Sequence, residues 1–124
     1  MVACYNIVSA ETGLAIGAHN LDKIKGNVVI RKTNGHESFT PLGGKSTAVQ
    51  ADKYAAVDES GKIICWMEVK QSDKTKVMPG ENRDILIYVQ GNPVSTDEEL
   101  ESALNQVCQN ILRFCASNAT IRLV

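Results

Sequence analysis

The stretch that decides the fold reads STDEELESALNQVCQNILRFCAS over residues 95–117. Ser95 and Thr96 each precede a glutamate by three residues, which is the spacing of a capping box at a helix start. Apolar residues then recur every three or four positions, which predicts one long helix over residues 96–116. The helix dipole favours the carboxylates at its start, so we interpret them as part of the helix rather than as a metal or substrate site. The apolar stripe consists of Leu100, Leu104, Val107, Cys108, Ile111 and Cys115.

Upstream of this helix, short apolar runs alternate with turn residues, which is typical of β-hairpins. Four such runs cover residues 27–31, 37–40, 54–57 and 62–67. Asn34-Gly35 separates the first two runs and favours a tight hairpin turn between them. Asp58-Glu59-Ser60-Gly61 separates the last two runs, so we predict a second hairpin there.

The remaining segments complete the predicted architecture. Residues 84–90 form a nearly continuous apolar run, which predicts a central strand. Residues 5–12 fit either a helix or a strand that Gly13 ends, residues 20–24 fit a single turn, and residues 120–124 fit a short last strand. A long C-terminal helix beside several antiparallel strands predicts an α+β fold with a mostly antiparallel sheet or sandwich.

Length and composition limit the class of protein. The chain has 124 residues, of which 44% are hydrophobic and 22% are charged, so we expect one domain over residues 1–124. These values exclude a disordered chain, a collagen-like chain and a disulfide-rich miniprotein. No apolar run approaches the ~18 residues of a membrane span, and no secretory signal is visible. We therefore expect a soluble cytoplasmic domain without a membrane partner.

The chain contains four cysteines, and none belongs to a C-x-x-C pair. With only two histidines present, the spacing supports no zinc site, and we predict no metal or cofactor. Apolar neighbours flank each cysteine, which favours buried free thiols. A reactive thiol would need a partner base, and the neighbouring sequence supplies none. The four residues are Cys4, Cys65, Cys108 and Cys115.

The net charge of −1 does not by itself indicate a nucleic-acid-binding protein. Basic residues nevertheless form two short clusters, which fit either contacts to a phosphate backbone or an ordinary solvated face. Charge alone does not decide between these two interpretations. The clusters contain Lys23, Lys25, Arg31 and Lys32, and then Lys70, Lys74 and Lys76.

The two histidines stand in different contexts. His36 follows the Asn34-Gly35 turn and is expected to be an exposed turn residue. His19 stands in Gly17-Ala18-His19-Asn20, which we interpret as a glycine-bounded loop that can present a functional side chain. A loop histidine bonded to the backbone is the alternative interpretation.

Four separate motifs occur in the order found in a known family. They are YNIVSAETGLAIGAHNLDKI at residues 5–24, FTPLGG at 39–44, Cys65-Trp66, and KQSDKTK at 70–76. Together they resemble the editing domain of the phenylalanyl-tRNA synthetase beta chain over about residues 5–116, and its free-standing bacterial relatives more closely. The resemblance implies hydrolysis of tyrosine wrongly attached to the phenylalanine tRNA, in a site that selects the phenol hydroxyl by hydrogen bonding.

The resemblance also implies which residues form that site. Asn6 matches an asparagine of the family's pocket, and the family's histidine aligns with Gly17, two positions before His19. Asn6 and His19 are therefore the implied catalytic residues, which would orient water or the ester. The carboxylate that contacts the phenol in the family aligns with Tyr88, so Tyr88 and Gln90 are expected to face the amino-acid pocket.

Aminoacylated tRNA is the partner that the resemblance implies. Gly43 and Gly44 are expected at the rim of the pocket. No oligomeric state is assigned. The residues expected to hold the tRNA are Lys23, Lys25, Arg31, Lys70, Lys74 and Lys76.

Three functions remain open from the sequence. The chain fits an esterase that edits misacylated tRNA, a non-catalytic binding module for tRNA or an aromatic amino acid, and a fragment that completes another subunit. No paired carboxylates or catalytic triad stand out in the sequence to decide among them. The family extends by a helical segment upstream of this Met1, so we expect either a minimal version of the domain or the C-terminal part of a longer protein.

Overall fold

The computed structural model describes residues 1–66, 70–78, 80, 84–116 and 118–122. Helices and antiparallel strands combine in the predicted α+β fold. The elements, in chain order, are α1 (Val2–Thr12), β1 (Ala15–Asn20), a first 3-10 turn (Leu21–Lys23), β2 (Val28–Lys32), β3 (Ser38–Phe39), β4 (Thr47–Ala48), β5 (Tyr54–Asp58), β6 (Ile63–Trp66), β7 (Lys70–Gln71), a second 3-10 turn (Asp73–Thr75), β8 (Ile85–Gln90) and α2 (Asp97–Phe114).

The chain divides into two compact units, which we name by their main elements. The helical unit comprises Met1–Gly17 and Ile87–Val124, and the sheet unit comprises Ala18–Leu86. In the helical unit, α1 packs against α2. Apolar side chains from both helices are buried, as is typical of a helix pair that stabilises itself by packing. They are Cys4, Tyr5, Val8, Ala103, Val107 and Ile111.

The ends of both helices follow from local sequence. The Thr96 hydroxyl accepts a hydrogen bond from the Glu99 backbone N–H at 3.2 Å, and the Glu99 carboxylate accepts one from the Thr96 N–H at 2.9 Å. This reciprocal pair confirms the predicted capping box. At the other helix, Gly13 has a φ of +72° and its N–H donates to the Ser9 carbonyl. Glycine adopts this left-handed conformation readily, so it ends α1 as predicted.

Two predictions near the C-terminus need correction. Helix α2 ends at Phe114, so Cys115 lies beyond the packed helix and is exposed, whereas Cys108 is half-buried. The buried cysteines are therefore Cys4 and Cys65, and the prediction of burial is wrong for Cys108 and Cys115. The predicted last strand is wrong for residues 120–122, which have no regular secondary structure, and residues 123–124 lie outside the described residues.

The sheet unit contains a four-stranded antiparallel sheet in the order β2-β5-β6-β7. The β5–β6 pairing confirms the predicted hairpin across the turn at residues 58–61. One face of this sheet contacts the short β3–β4 pair through an apolar cluster, in which the Phe39 and Trp66 rings meet edge to face at 5.9 Å. The buried members of the cluster are Phe39, Val49, Ala55, Val57 and Ile63.

The predicted hairpin around Asn34-Gly35 is wrong. Strand β2 pairs with β5, and β3 pairs with β4 instead. The reason lies in Glu37, whose carboxylate accepts hydrogen bonds from the backbone N–H groups of Asn34 and Gly35. Because a side chain satisfies the donors of this turn, the turn does not need pairing between the two flanking runs.

The predicted central position of the strand at residues 84–90 is also wrong. Among the residues that the structure describes, strand β8 pairs with β1 alone, in a two-stranded sheet. All of its side chains are half-buried, so its apolar run reflects partial burial of both faces rather than a place between two partner strands.

Candidate anion-binding cleft

A cleft of about 540 Å³ opens in the sheet unit. Its lining combines ammonium groups with hydroxyl groups, which are the side chains that bind phosphate and carboxylate oxygens. Three of its lysines belong to the clusters that the sequence indicated as RNA-binding residues. The lining residues are Asp22, Lys23, Lys25, Ser38, Thr40, Ser46, Lys62, Ile63, Ser72 and Lys74.

The first 3-10 turn places Asp22 and Lys23 at the cleft. Its start is fixed by Asn20, whose side-chain oxygen accepts a hydrogen bond from the Asp22 backbone N–H at 3.0 Å. Asn20 is itself buried. The turn at residues 20–24 that the sequence predicts is therefore confirmed.

Asp58 holds two lysine segments of the cleft in place. Its side chain is fully buried, and its carboxylate accepts hydrogen bonds from the backbone N–H groups of Lys25 and Lys62, each at 3.0 Å. Ser60 adds two more donors, its N–H at 3.0 Å and its hydroxyl at 2.6 Å. Burial by itself would raise the pKa of Asp58, but these hydrogen bonds outweigh it and lower the pKa. Asp58 is therefore a carboxylate at neutral pH.

The charge of one lysine in the cleft is partly engaged. The Lys62 ammonium donates to the Lys23 carbonyl at 2.8 Å and lies 3.8 Å from the Asp58 carboxylate. Lys23, Lys25 and Lys74 are exposed. These three ammonium groups are consequently the ones best placed to meet an anion.

The second 3-10 turn contacts the Gly43-Gly44 turn beside Ser72 and Lys74 of the cleft. The expected place of Gly43 and Gly44 at the rim of an amino-acid pocket stays a prediction. The Asp73 backbone N–H donates to the Thr40 carbonyl at 2.8 Å. The Asp73 carboxylate accepts from Gly43 N–H at 3.3 Å and from the Lys76 ammonium at 2.9 Å. The Lys76 hydrogen bond is the main cause that lowers the pKa of Asp73. Lys76 thus neutralises Asp73 and does not line the cleft.

His19 lies on strand β1 and is fully buried, so its predicted place in a loop is wrong. Its Nδ1 atom lies 2.9 Å from the hydroxyl of Thr75, which is also buried and belongs to the second 3-10 turn. Burial lowers the pKa of His19 to about 4, so the ring is neutral at pH 7. His19 therefore anchors the turn that contains Lys74, which lines the cleft together with the preceding Ser72.

Three of the predicted pocket residues belong to the helical unit. Asn6 is exposed on α1, and Tyr88 and Gln90 are half-buried on β8. Their convergence with His19 on one pocket stays a prediction.

Two predicted RNA-binding residues have other surroundings. The Arg31 guanidinium donates to the buried Glu37 carboxylate at 2.7 Å and to the Lys32 carbonyl at 2.9 Å, and it does not line the cleft. The backbone of Lys70 belongs to β7, and its side chain lies outside the described residues.

Sequence reasoning missed Asp58, Lys62 and the four hydroxyl side chains of the cleft. Only Asp58 left a local signal, because aspartate two residues before Ser60 and three before Gly61 is typical of a side-chain-capped turn. The hydroxyl residues come from three separate segments and left none. They are Ser38, Thr40, Ser46 and Ser72.

Among the side chains that the structure describes, no group of three or more histidine, cysteine, aspartate or glutamate residues could hold a metal ion. Within the same part of the chain, no helix is both long enough and apolar enough to span a bilayer.

Comparisons with known proteins agree with one another. A family model described as the B3/4 domain matches residues 1–116. The phenylalanine–tRNA ligase beta subunit of Mycoplasma genitalium is 30% identical over 74 residues, which are 60% of this chain and 9% of that subunit. The chain therefore spans less than a tenth of this curated relative.

A solved structure shows the same fold. An N-terminal fragment of the phenylalanyl-tRNA synthetase beta-subunit from Pyrococcus horikoshii matches with a TM-score of 0.70 and 19% sequence identity. The match covers 86% of this chain and 37% of that one. At this identity, the likeness concerns the fold alone.

Proposed function

We propose, from the premise that the chain belongs to the B3/4 domain family, that residues 1–124 act as one domain that binds aminoacylated tRNA. The observation that carries the proposal is the cleft, in which lysine ammonium groups and hydroxyl groups face one space. Lysines supply the charge that a phosphate backbone requires, and hydroxyl groups add directional hydrogen bonds. The Mycoplasma genitalium relative is named as a tRNA ligase subunit, which supports tRNA as the nucleic acid.

The buried polar groups around the cleft support a binding role. A surface on which lysines are merely solvated needs no internal support, whereas Asp58 fixes the backbone of Lys25 and Lys62 through hydrogen bonds. His19 does the same for the second 3-10 turn through Thr75. Pre-organised groups lose less conformational entropy when a ligand binds.

A binding assay tests this proposal. The cleft variant carries Lys23→Gln, Lys25→Gln and Lys74→Gln, and leaves Lys62 in place because it bonds to the backbone. We expect the Kd for deacylated tRNA, measured by fluorescence anisotropy at low salt, to rise at least tenfold, since three phosphate contacts are lost.

A charge-matched control separates the cleft from bulk electrostatics. The control variant carries Lys32→Gln, Arg113→Gln and Arg122→Gln, at exposed positions that do not line the cleft. It should bind tRNA almost as tightly as wild type. Equal weakening in both variants would contradict a specific role of the cleft, and the absence of tRNA binding at low salt would remove tRNA as the partner.

Hydrolytic editing is the second candidate function. The alignment of Asn6 with a pocket asparagine favours it, and the exposed position of Asn6 on α1 leaves its amide accessible to a substrate. His19 has no exposed surface, so we propose that it acts as a positioning residue through Thr75. Tyr88 and Gln90 are then the residues proposed to contact an aromatic aminoacyl group.

Deacylation of a panel of charged tRNAs tests the editing candidate. We expect tyrosine to be released from the phenylalanine tRNA faster than phenylalanine, and Asn6→Ala to lower turnover by roughly 10–100-fold, because positioning groups contribute at that scale. Tyr88→Phe should mainly change the ratio of the two rates. Asn105→Ala, at an exposed position on α2, is the control. Intact tRNA binding without turnover of any ester would leave the non-catalytic binding module.

A further inference from the structure

Two cysteines meet within the helical unit. Cys4 lies in the first turn of α1, and Cys115 lies directly after α2, so they are 111 positions apart in the sequence. Their Sγ atoms are separated by 3.2 Å. The Asn110 side chain donates to the Cys4 carbonyl at 3.2 Å, which fixes the start of α1 against the end of α2.

The two thiols have complementary environments. Cys4 is buried, and Cys115 is exposed. The hydrogen bond from Cys4 lowers the pKa of Cys115 below its ordinary value, whereas burial raises the pKa of Cys4. An exposed thiol of lowered pKa beside a buried thiol is the arrangement of redox-sensitive cysteine pairs.

We propose that Cys4 and Cys115 form a reversible intramolecular disulfide when a hydroperoxide reaches the protein. The Cys115 thiol first loses its proton to the solvent, and its thiolate attacks the peroxide and takes the hydroxyl group, which breaks the O–O bond and gives a sulfenic acid. The departing alkoxide or hydroxide takes up one proton from the solvent and leaves as the alcohol or water. The Cys4 sulfur then attacks the Cys115 sulfur, and its thiol proton leaves with the hydroxyl group as water. The two thiols are oxidised by two electrons in total, and the peroxide is reduced by two.

The geometry needs only a small adjustment for this bond. A disulfide has an S–S length of about 2.05 Å, so the two sulfurs must approach by roughly 1 Å. Cys115 is exposed and lies directly after the helix. The bond would tie the first turn of α1 to the end of α2 and would constrain the unfolded chain.

Peptide mapping tests the proposal, because trypsin places each cysteine in a different peptide. The reduced full chain is treated with one equivalent of hydrogen peroxide, alkylated and digested without reductant. We expect a cross-linked pair that is two hydrogens lighter than its components and that disappears with dithiothreitol. The pair joins residues 1–23 to residues 114–122, and Cys65 and Cys108 stay in the alkylated peptides 63–70 and 84–113.

Single variants make the test specific. Cys115→Ser should abolish the cross-link, and Cys4→Ser should leave a sulfenic acid on Cys115 that a 1,3-diketone reagent traps. Cys108 is half-buried, and burial raises the pKa of its thiol. The Cys108→Ser variant should therefore still form the cross-link. The Tm of the oxidised chain should exceed that of the reduced chain only where the cross-link forms.

Several outcomes would overturn the proposal. They are a cross-link between other peptides, disulfides only between separate molecules, four unmodified thiols after peroxide treatment, or a cross-link that survives in Cys115→Ser. None of these measurements involves tRNA, so the disulfide and the proposed function can fail independently.

Discussion

The helical unit and the sheet unit differ in what they bury. Where the structure describes the side chains, the buried polar and charged residues all belong to the sheet unit, and the helical unit buries apolar side chains. Burying a polar group is unfavourable unless it is hydrogen-bonded. The polar residues of the sheet unit's interior are His19, Asn20, Thr33, Glu37, Asp58, Ser72 and Thr75.

We interpret this difference as a division of roles, in which the helical unit contributes stability and the sheet unit contributes the groups proposed to recognise a ligand. In the helical unit, the polar pair Thr96 and Glu99 caps the start of α2. In the sheet unit, the buried carboxylate of Asp58 and the buried ring of His19 hold segments that line the cleft. Stability should therefore depend on apolar packing in the helical unit and on the protonation of buried groups in the sheet unit.

Truncation of the helical core should give the largest effect. Ile111 is buried on α2, so Ile111→Ala should lower the free energy of unfolding by about 2–5 kcal/mol. Urea denaturation should give the same loss at pH 7 and pH 5, since no titrating group is removed. Gln109→Ala, at an exposed neighbouring position, should stay within about 0.5 kcal/mol of wild type. A loss that vanishes at one pH would contradict the proposed division of roles.

Protonation of His19 should give the next effect. Its pKa is lowered from 6.5 to about 4 on folding. Between these two pH values, the imidazole is therefore protonated in the unfolded chain and neutral in the folded chain. Stability is then complete above pH 6.5 and falls as the pH decreases towards 4, by up to about 3 kcal/mol at 1.36 kcal/mol per pKa unit.

Two substitutions isolate this pH effect. His19→Gln keeps a group that can hydrogen-bond to Thr75 and should remove the loss of stability between pH 6.5 and pH 4. His36→Gln, at an exposed position, should retain it. Thermal unfolding monitored across this range measures both, and an unchanged pH profile in His19→Gln would show that the buried ring is not the cause.

Protonation of Asp58 should lower the stability at a lower pH than protonation of His19 does. Its pKa in the folded chain lies below the ordinary 3.8, so the stability that it contributes is present above pH 3.8 and is lost as the pH falls through the lowered value. Asp58→Asn should cost about 1–3 kcal/mol at pH 7, because the amide lacks one acceptor for the N–H groups of Lys25 and Lys62. Wild type and variant should approach each other in stability as the pH falls through the lowered pKa of Asp58, and Asp97→Asn, exposed in the first turn of α2, serves as the control.

The smallest effect belongs to the cap of α2. Thr96→Ala should cost about 1 kcal/mol, since it leaves the Glu99 N–H without its acceptor. Ser102 is exposed and lies within the same helix, away from its ends. The control Ser102→Ala should therefore not lower the free energy of unfolding in this way. Circular dichroism during urea denaturation compares the two, and equal stability would argue against a role for the cap.

Local features of the fold could be predicted from the sequence. The capping box and the β5–β6 hairpin depend on residues within a few positions of each other, so their chemistry is visible in the sequence. The hairpin prediction at Asn34-Gly35 was wrong because the Glu37 side chain satisfies the backbone donors of this turn. The short-range signals of a hairpin do not include such a side-chain contact.

The sites could not be predicted in the same way. Lys23, Lys62 and Lys74 meet only through the sheet unit, and the Cys4–Cys115 pair depends on the packing of α1 against α2. His19 was wrongly placed in a loop because Gly17, two positions before it, is typical of a loop, whereas the structure buries His19 on strand β1.

The most direct measurement is the salt dependence of tRNA affinity for wild type, the cleft variant and the control variant. Each phosphate contact contributes about 0.7–0.9 to the slope of log K against log salt. A phosphate-binding cleft predicts that the slope decreases by about 2–3 in the cleft variant, at the same contribution for each of its three lysines, and stays at the wild-type value in the control variant. A wild-type slope in the cleft variant would contradict the assignment of the cleft as the tRNA-binding surface.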